Sequence, residues 1–374
     1  MSAPLARFIT LEELTLRRDE WRALSENAIE TNPFYGPDLL IAALQSGASR
    51  SETRVLIVER NDRLTGLFPL QRPFLRDGAM GLGWMLYRDP LTCLTVPLIA
   101  PAGAKETLAT ALAFLSEANG PAALVLPLLT ENQPFATLLK RVVEKQMRFA
   151  VPMQSWERPA IARGSVLLPK AARAIEKKRR RLEKLGPISV RRMMSGNPDV
   201  SRLLDDFLTM EALSWKGEQG TALRSMPALE QVVRALAVGY TTSPAFLIEA
   251  LMVGEQPIAM NLNLAAAGTV YTIKSTYHPE FASYSPGRLL DAMVVSLVEA
   301  PDGAFLSVDS CASPGHPLED LWPDRLDLVC LGIALRPSGR LHLGAMMLGK
   351  SLSDQVRRWR YRESYTTRKT NRAA

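Results

Sequence analysis

Two stretches of this chain repeat one plan. NDRLTGLFPL (residues 61–70) and GEQPIAMNL (254–262) are each a tight turn followed by an apolar strand, at an offset of about 193 residues. An apolar strand leads into each of them, TRVLIVER over 53–60 and AFLIEALMV over 245–253. Around each hairpin the order is the same: helices, an antiparallel run of strands, a long helix, another strand. Helical spacing marks Leu108, Ala111, Leu112 and Leu115 in the first half, and Leu289, Leu290, Met293, Val294, Leu297 and Val298 in the second. Repetition on this scale indicates a duplicated domain rather than a solenoid, and 374 residues suit two domains. The element order predicts an α+β fold of mixed, mostly antiparallel sheets flanked by helices. The expected layout is a domain over 1–153, a polar, proline-containing linker over 154–169, a second domain over 170–350 and a basic tail over 351–374.

A hydrophobic content of 47% against 22% charged residues is that of a folded globular chain. The longest largely apolar stretch, Leu91 to Ala104, is short and interrupted by Pro97 and Pro101, so no membrane span is expected. The first residues lack the apolar segment of a signal peptide. Three scattered cysteines, Cys93, Cys311 and Cys330, form neither a disulfide framework nor a paired metal motif. These features predict a cytoplasmic protein without a metal.

The net charge of +7 is local. Residues 170–193 carry ten basic and two acidic residues, and 356–374 seven basic and one acidic, leaving the rest of the chain at −7. The first cluster falls on a helix with Ala171, Ile175, Lys178, Leu182 and Leu185 along one side, so it reads as a charged solvent face. The tail interleaves Trp359, Tyr361 and Tyr365 with arginines, a composition that suits nucleic acid or anionic lipid as well as a loose terminus.

The most informative segment is YTIKSTYHPEFASYSPGRLL, residues 271–290, in which a strand ends and a helix begins at Ser285-Pro286-Gly287. Ser285 is an N-cap residue type, and Pro286 suits the first helical position. The N–H groups of Gly287, Arg288 and Leu289 are then expected to face outward from the positive end of the helix, a site for a pyrophosphate. Read alone, the triplet is also an ordinary capped helix. Trp215-Lys216-Gly217 is expected on a loop, where an aromatic ring and an ammonium group suit an anionic ligand or anchor the loop. Lys274 lies mid-strand, facing either a cleft or solvent. His316 follows Asp309 and Cys311 in a Pro/Gly-rich loop; an imidazole beside an acid is a candidate general base, and a Cys-His pair a candidate nucleophile.

In their order along the chain, NPF (32–34), KKRRRLEKLG (177–186), SWKGEQGTAL (214–223), PIAMNLNL (257–264), IKSTYHPEFASYSPGRLL (273–290) and DSCASPGHPLEDLW (309–322) resemble the CelD/BcsL-type acetyltransferases associated with exopolysaccharide and cellulose synthesis. These are relatives of the tandem-GNAT FemABX transferases. The resemblance implies two GNAT-like folds and acyl-CoA, as acetyl-CoA or a longer homologue, as co-substrate. It places the CoA pyrophosphate at Ser285, Gly287, Arg288 and Leu289, in a motif that here has a single glycine, Gly287. It implies Tyr284 as a proton donor to the departing thiolate. The residues then assign His316 and Asp309 to catalysis, and Trp215, Lys216 and Lys274 to an amine or hydroxyl of a saccharide or small-molecule acceptor. The FemABX kinship keeps two other readings open: transfer from aminoacyl-tRNA, or a non-catalytic protein that binds a glycan or a partner.

Overall fold

The computed structural model describes residues 2–48, 52–72, 83–117, 120–239, 245–301 and 303–349. The basic tail lies outside these residues.

The first half runs β1 (Leu5–Ile9), α1 (Leu11–Leu16), α2 (Arg18–Glu26), α3 (Pro37–Gln45), β2 (Thr53–Arg60), β3 (Arg63–Gln71), β4 (Trp84–Leu86), β5 (Leu98–Ile99), α4 (Ala104–Glu117), β6 (Ala123–Thr130), α5 (Pro134–Lys145) and β7 (Ala150–Ala162). The second half runs α6 (Pro169–Leu182), β8 (Ile188–Met194), α7 (Val200–Leu213), α8 (Trp215–Glu218), α9 (Pro227–Val238), β9 (Ala245–Val253), β10 (Gln256–Ala266), β11 (Thr269–Tyr277), α10 (Pro286–Met293), α11 (Val295–Val298), β12 (Ser307–Asp309) and β13 (Asp324–Ala334).

Local chemistry sets many of these boundaries. Thr10 and Glu13 form a capping box that starts α1. Asn61 and Asp62 both adopt positive φ (52° and 58°), the conformation a two-residue hairpin turn between β2 and β3 requires. Residues 11–26 form two helices meeting at Arg17, and the helix expected from Pro286 divides at Val294 into α10 and α11.

The strands among the described residues belong to one sheet, ordered β1-β2-β3-β4-β6-β13-β7-β12-β11-β10-β9-β8, with β5 paired to β3. The two halves use the same scheme. In each, an antiparallel run of strands (β1 to β4; β8 to β11) is followed by a helix that carries the chain to a parallel neighbour, β4 beside β6 and β11 beside β12. The last strands are exchanged: β7 of the first half pairs with β12 of the second, and β13 of the second pairs with β6 of the first. β7 and β13 pair with each other between them. Residues 154–162, expected to open the linker, are therefore strand. Their hydrogen-bond partners come from the other half, which no local pattern announces.

Period-two alternation divides the second half into layers. Met260, Leu262 and Leu264 of β10 join the core that includes Leu204 and Phe207 of α7 and Val232 of α9. Ala259 and Ala265 join the core that includes Ile175 of α6 and Leu289 and Leu290 of α10. The α7/α9 layer is continuous with the core of the first half, and Phe34 meets Tyr271 edge to face at 5.5 Å across the seam.

Candidate functional site

β11 and β12 stay together for three residue pairs, from Thr269↔Ser307 to Tyr271↔Asp309, and then part. A register shift against β10 leaves Ile273 as the extra residue of a bulge at the point of divergence. The N–H of His278 donates to Ile258 at 2.8 Å, so in this antiparallel ladder Ser275 and Tyr277 turn their own N–H and C=O groups to the opposite edge. That edge is the open side of the split. The Lys216 ammonium reaches into it and donates to the Ser275 carbonyl.

Lys216 is held there by its helix. Ser214 caps α8 by accepting from the Lys216 N–H at 3.2 Å. At Gly217 a Cβ would stand 1.9 Å from the Ala212 carbonyl oxygen, so a side chain there would force α8 away from α7. What was expected as a loop is thus a short helix locked by its glycine. Glu211, on α7 and fully buried, lies 3.5 Å from Lys216 Nζ and 3.8 Å from Lys274 Nζ through Oε1, while Oε2 accepts from the Leu223 N–H at 2.8 Å. Lys274 also donates to the Thr221 carbonyl at 3.5 Å. Burial, opposed by Glu211 and aided by neighbouring Lys274, moves Lys216 below the ordinary lysine pKa. Trp215 stays 51% exposed, its ring centroid 5.9 Å from the Lys216 ammonium. The three residues expected on the acceptor side therefore meet at the split. Glu211, which joins the two lysines, was not among the expected site residues. Its signal was a carboxylate four residues after Phe207 and seven after Leu204, on the buried stripe of α7.

His316 belongs to the same neighbourhood. Its charged neighbours are Glu319, Lys216 and Arg288, and Arg288 donates to the Pro317 carbonyl at 2.9 Å. Burial places the imidazole below the ordinary histidine pKa. Nδ1 accepts from the Leu318 N–H at 3.3 Å, capping the short turn Pro317–Asp320. A neutral imidazole with Nδ1 as acceptor carries its proton on Nε2. The ring thus presents a donor, where a general base had been expected.

Asp309 is not the partner of this histidine. It is buried and paired with the equally buried Arg158 of β7, whose Nη1 is 3.1 Å from Oδ2 and also donates to the Cys93 carbonyl at 2.9 Å. The Cys311 N–H donates to Asp309 Oδ1 at 2.8 Å. Burial, with Cys93 and Asp309 close by, pushes the Cys311 thiol up, which holds it away from the reactive thiolate.

The segment before α10 differs in detail from expectation. Ser285 takes a left-handed conformation (φ 54°) and its side chain makes no capping bond. The Leu289 N–H, expected to be free, donates to the Ser285 carbonyl at 3.1 Å. The N–H groups of Gly287 and Arg288 have no acceptor among the described residues. The Tyr284 ring lies against α6, with the Arg181 guanidinium 5.4 Å from its centroid, and Lys178 donates to the Ser283 carbonyl. At the equivalent helix start of the first half, a Cβ on Gly103 would lie 2.6 Å from Arg60 Nη1. An arginine therefore packs against that position, whereas beside Gly287 a Cβ would meet only Tyr277, at 3.8 Å.

A repeated mixed sheet whose parallel pair parts beside a free helix start is the GNAT fold. Residues 169–303 match the family model described as acetyltransferase (GNAT) domain. Among solved structures, the chain is similar to the C-terminal domain of a putative lysylphosphatidylglycerol synthetase from Agrobacterium fabrum, with 9% identity, 90% of this chain and 96% of that one covered, and a TM-score of 0.56. FemX gives 9% identity, coverage of 91% and 99%, and a TM-score of 0.55. L-PGS from Bacillus licheniformis gives 10% identity, coverage of 90% and 96%, and a TM-score of 0.51. At these identities the likeness concerns the fold alone. No curated protein sequence matches the chain. Among the described residues no helix is long and apolar enough to cross a membrane.

Proposed function

We propose that the second half is an acyl-CoA-dependent acyltransferase that acts on an amine or hydroxyl of a saccharide or small-molecule acceptor. The observation that carries this reading is the open edge of β11, which leads from the Lys216–Ser275 contact toward the free N–H groups of Gly287 and Arg288. An extended thioester donor fits that path, with its pyrophosphate at the helix start, where backbone donors and the helix dipole favour an anion. Its acyl carbonyl then lies at the split, beside Lys216. The acceptor enters from the α7/α8 side, past Trp215 and Lys274. Its lone pair attacks the thioester carbon, the C–S bond breaks, and the thiolate leaves. Lys216 stabilises the charge that develops on the carbonyl oxygen, and the Nε2–H of His316 hydrogen-bonds the departing sulfur. The proton that the acceptor's amine or hydroxyl sheds passes through solvent to the thiolate, leaving the acylated acceptor and free CoA. Glu211 keeps both ammonium groups aligned.

The test is turnover. Loss of a donor to a developing oxyanion costs on the order of 10²–10³ in kcat. Lys216→Met is expected to lose that much in acetyl-CoA thiol release with an amine or sugar acceptor, while KM for acetyl-CoA changes little. A Lys216→Met enzyme with unaltered kcat removes Lys216 from the chemistry.

A further inference from the structure

The basic helix α6 is not a uniform charged surface. Its two acids are both engaged: Glu176 pairs with Arg179 and Arg180 at 2.8 Å, and Glu183 pairs with Arg179. What remains is Lys170, Arg173, Lys177, Arg181 and Lys184, all exposed, none in an ion pair with another described residue. Steps of three, four and four place Lys170, Arg173, Lys177 and Arg181 on one stripe of α6, and Lys184 follows in the turn beyond Leu182. At 1.5 Å per residue the helical part is about 17 Å long. Cationic and unneutralised, it runs beside the apolar face that docks on the sheet through Ala171, Ile175 and Leu182.

The end of this stripe touches the donor loop. Arg181 stacks on Tyr284, and Lys178, next to the stripe, donates to the Ser283 carbonyl. Ser285 follows, then the helix start with the two free N–H groups. A cationic surface therefore adjoins the open helix start. A ligand that satisfies both carries a further phosphate a short distance beyond its pyrophosphate. Within the acyl-CoA reading, on which this rests, that group is the 3′-phosphate of the adenosine moiety. We infer that Lys177, Arg181 and Lys184 form a subsite for the 3′-phosphate of the donor, and that α6 thereby selects CoA thioesters over donors ending in an unphosphorylated adenosine.

The experiment is titration calorimetry of the full chain with CoA and with 3′-dephospho-CoA, on wild type and on the double variant Arg181→Gln, Lys184→Gln. Glutamine retains helix propensity at Arg181, Lys184 lies in the turn beyond the helix, and both positions are exposed, so the variant is expected to keep its fold and unfolding temperature. Wild type is expected to bind CoA at least tenfold more tightly than dephospho-CoA. In the variant, CoA affinity falls to the dephospho-CoA level, which itself does not move. Equal affinities in wild type overturn the subsite while leaving the acyl-CoA reading intact, and so does a variant that weakens both ligands alike. Absence of binding by either ligand, with salt-steep binding of a short single-stranded RNA that the variant abolishes, overturns the subsite and the acyl-CoA reading together.

Discussion

At the level of single residues, side chains that look alike in sequence have separate work. Lys216 and Lys274 share one buried carboxylate, and Lys216 is aimed at the split of the sheet. Asp309 and His316 are seven residues apart and suggest an acid–base pair, yet Asp309 pairs with Arg158, while His316 has Glu319, Lys216 and Arg288 as its charged neighbours. Sequence supplied the residue types, but the partners come from strands and helices distant along the chain. Asp309→Ala leaves the Arg158 guanidinium buried without its counter-ion, a change that costs about 3–5 kcal/mol. The expected outcome is a large drop in the urea midpoint, recovered in good part when Arg158→Met is added, with turnover per folded molecule retained. Lost turnover at unchanged stability would instead make Asp309 a catalytic group.

At the level of elements, what was legible is what is local. The hairpin at Asn61-Asp62, the amphipathic helices and the strand-to-helix transition at 285–287 each follow from a few adjacent residues. What was not legible depends on how neighbouring backbone is arranged. Ser285 has the composition of an N-cap but a left-handed backbone, and its carbonyl consumes the Leu289 N–H. The proposed donor site is consequently narrower than expected, resting on Gly287 and Arg288. A Cβ at Gly287 would meet only Tyr277, at an ordinary 3.8 Å, so the fold accepts a side chain there. Gly287→Glu is expected to remain folded and to lose more than tenfold in CoA affinity, over about 1.4 kcal/mol, through bulk and like charge at the helix start. Arg288→Ala is expected to lose less, because the backbone donors remain. Isothermal titration of the two variants checks the order, and an unaffected Gly287→Glu protein would move the donor away from this loop.

At the level of the whole molecule, duplication was visible in the sequence, whereas the exchange of final strands was not. The pairing of β7 with β12 and of β13 with β6 spans most of the chain, and the polar residues at 154–162 resemble a linker until the partners are seen. The exchange gives the halves one continuous sheet and so fixes the seam that carries Phe34, Tyr271, Arg158 and Asp309 behind the split. The halves nonetheless differ at their helix starts, where Arg60 packs against Gly103 in the first and only Tyr277 stands within 4 Å of a Cβ at Gly287 in the second, and the proposal is a single donor site per chain, in the second half. The most direct test of that claim is calorimetric titration of the full chain with acetyl-CoA. The account predicts saturable binding with a stoichiometry of one, lost in Gly287→Glu. Two equivalent sites, or no heat of binding with acetyl-CoA, longer acyl-CoAs or free CoA, would contradict it.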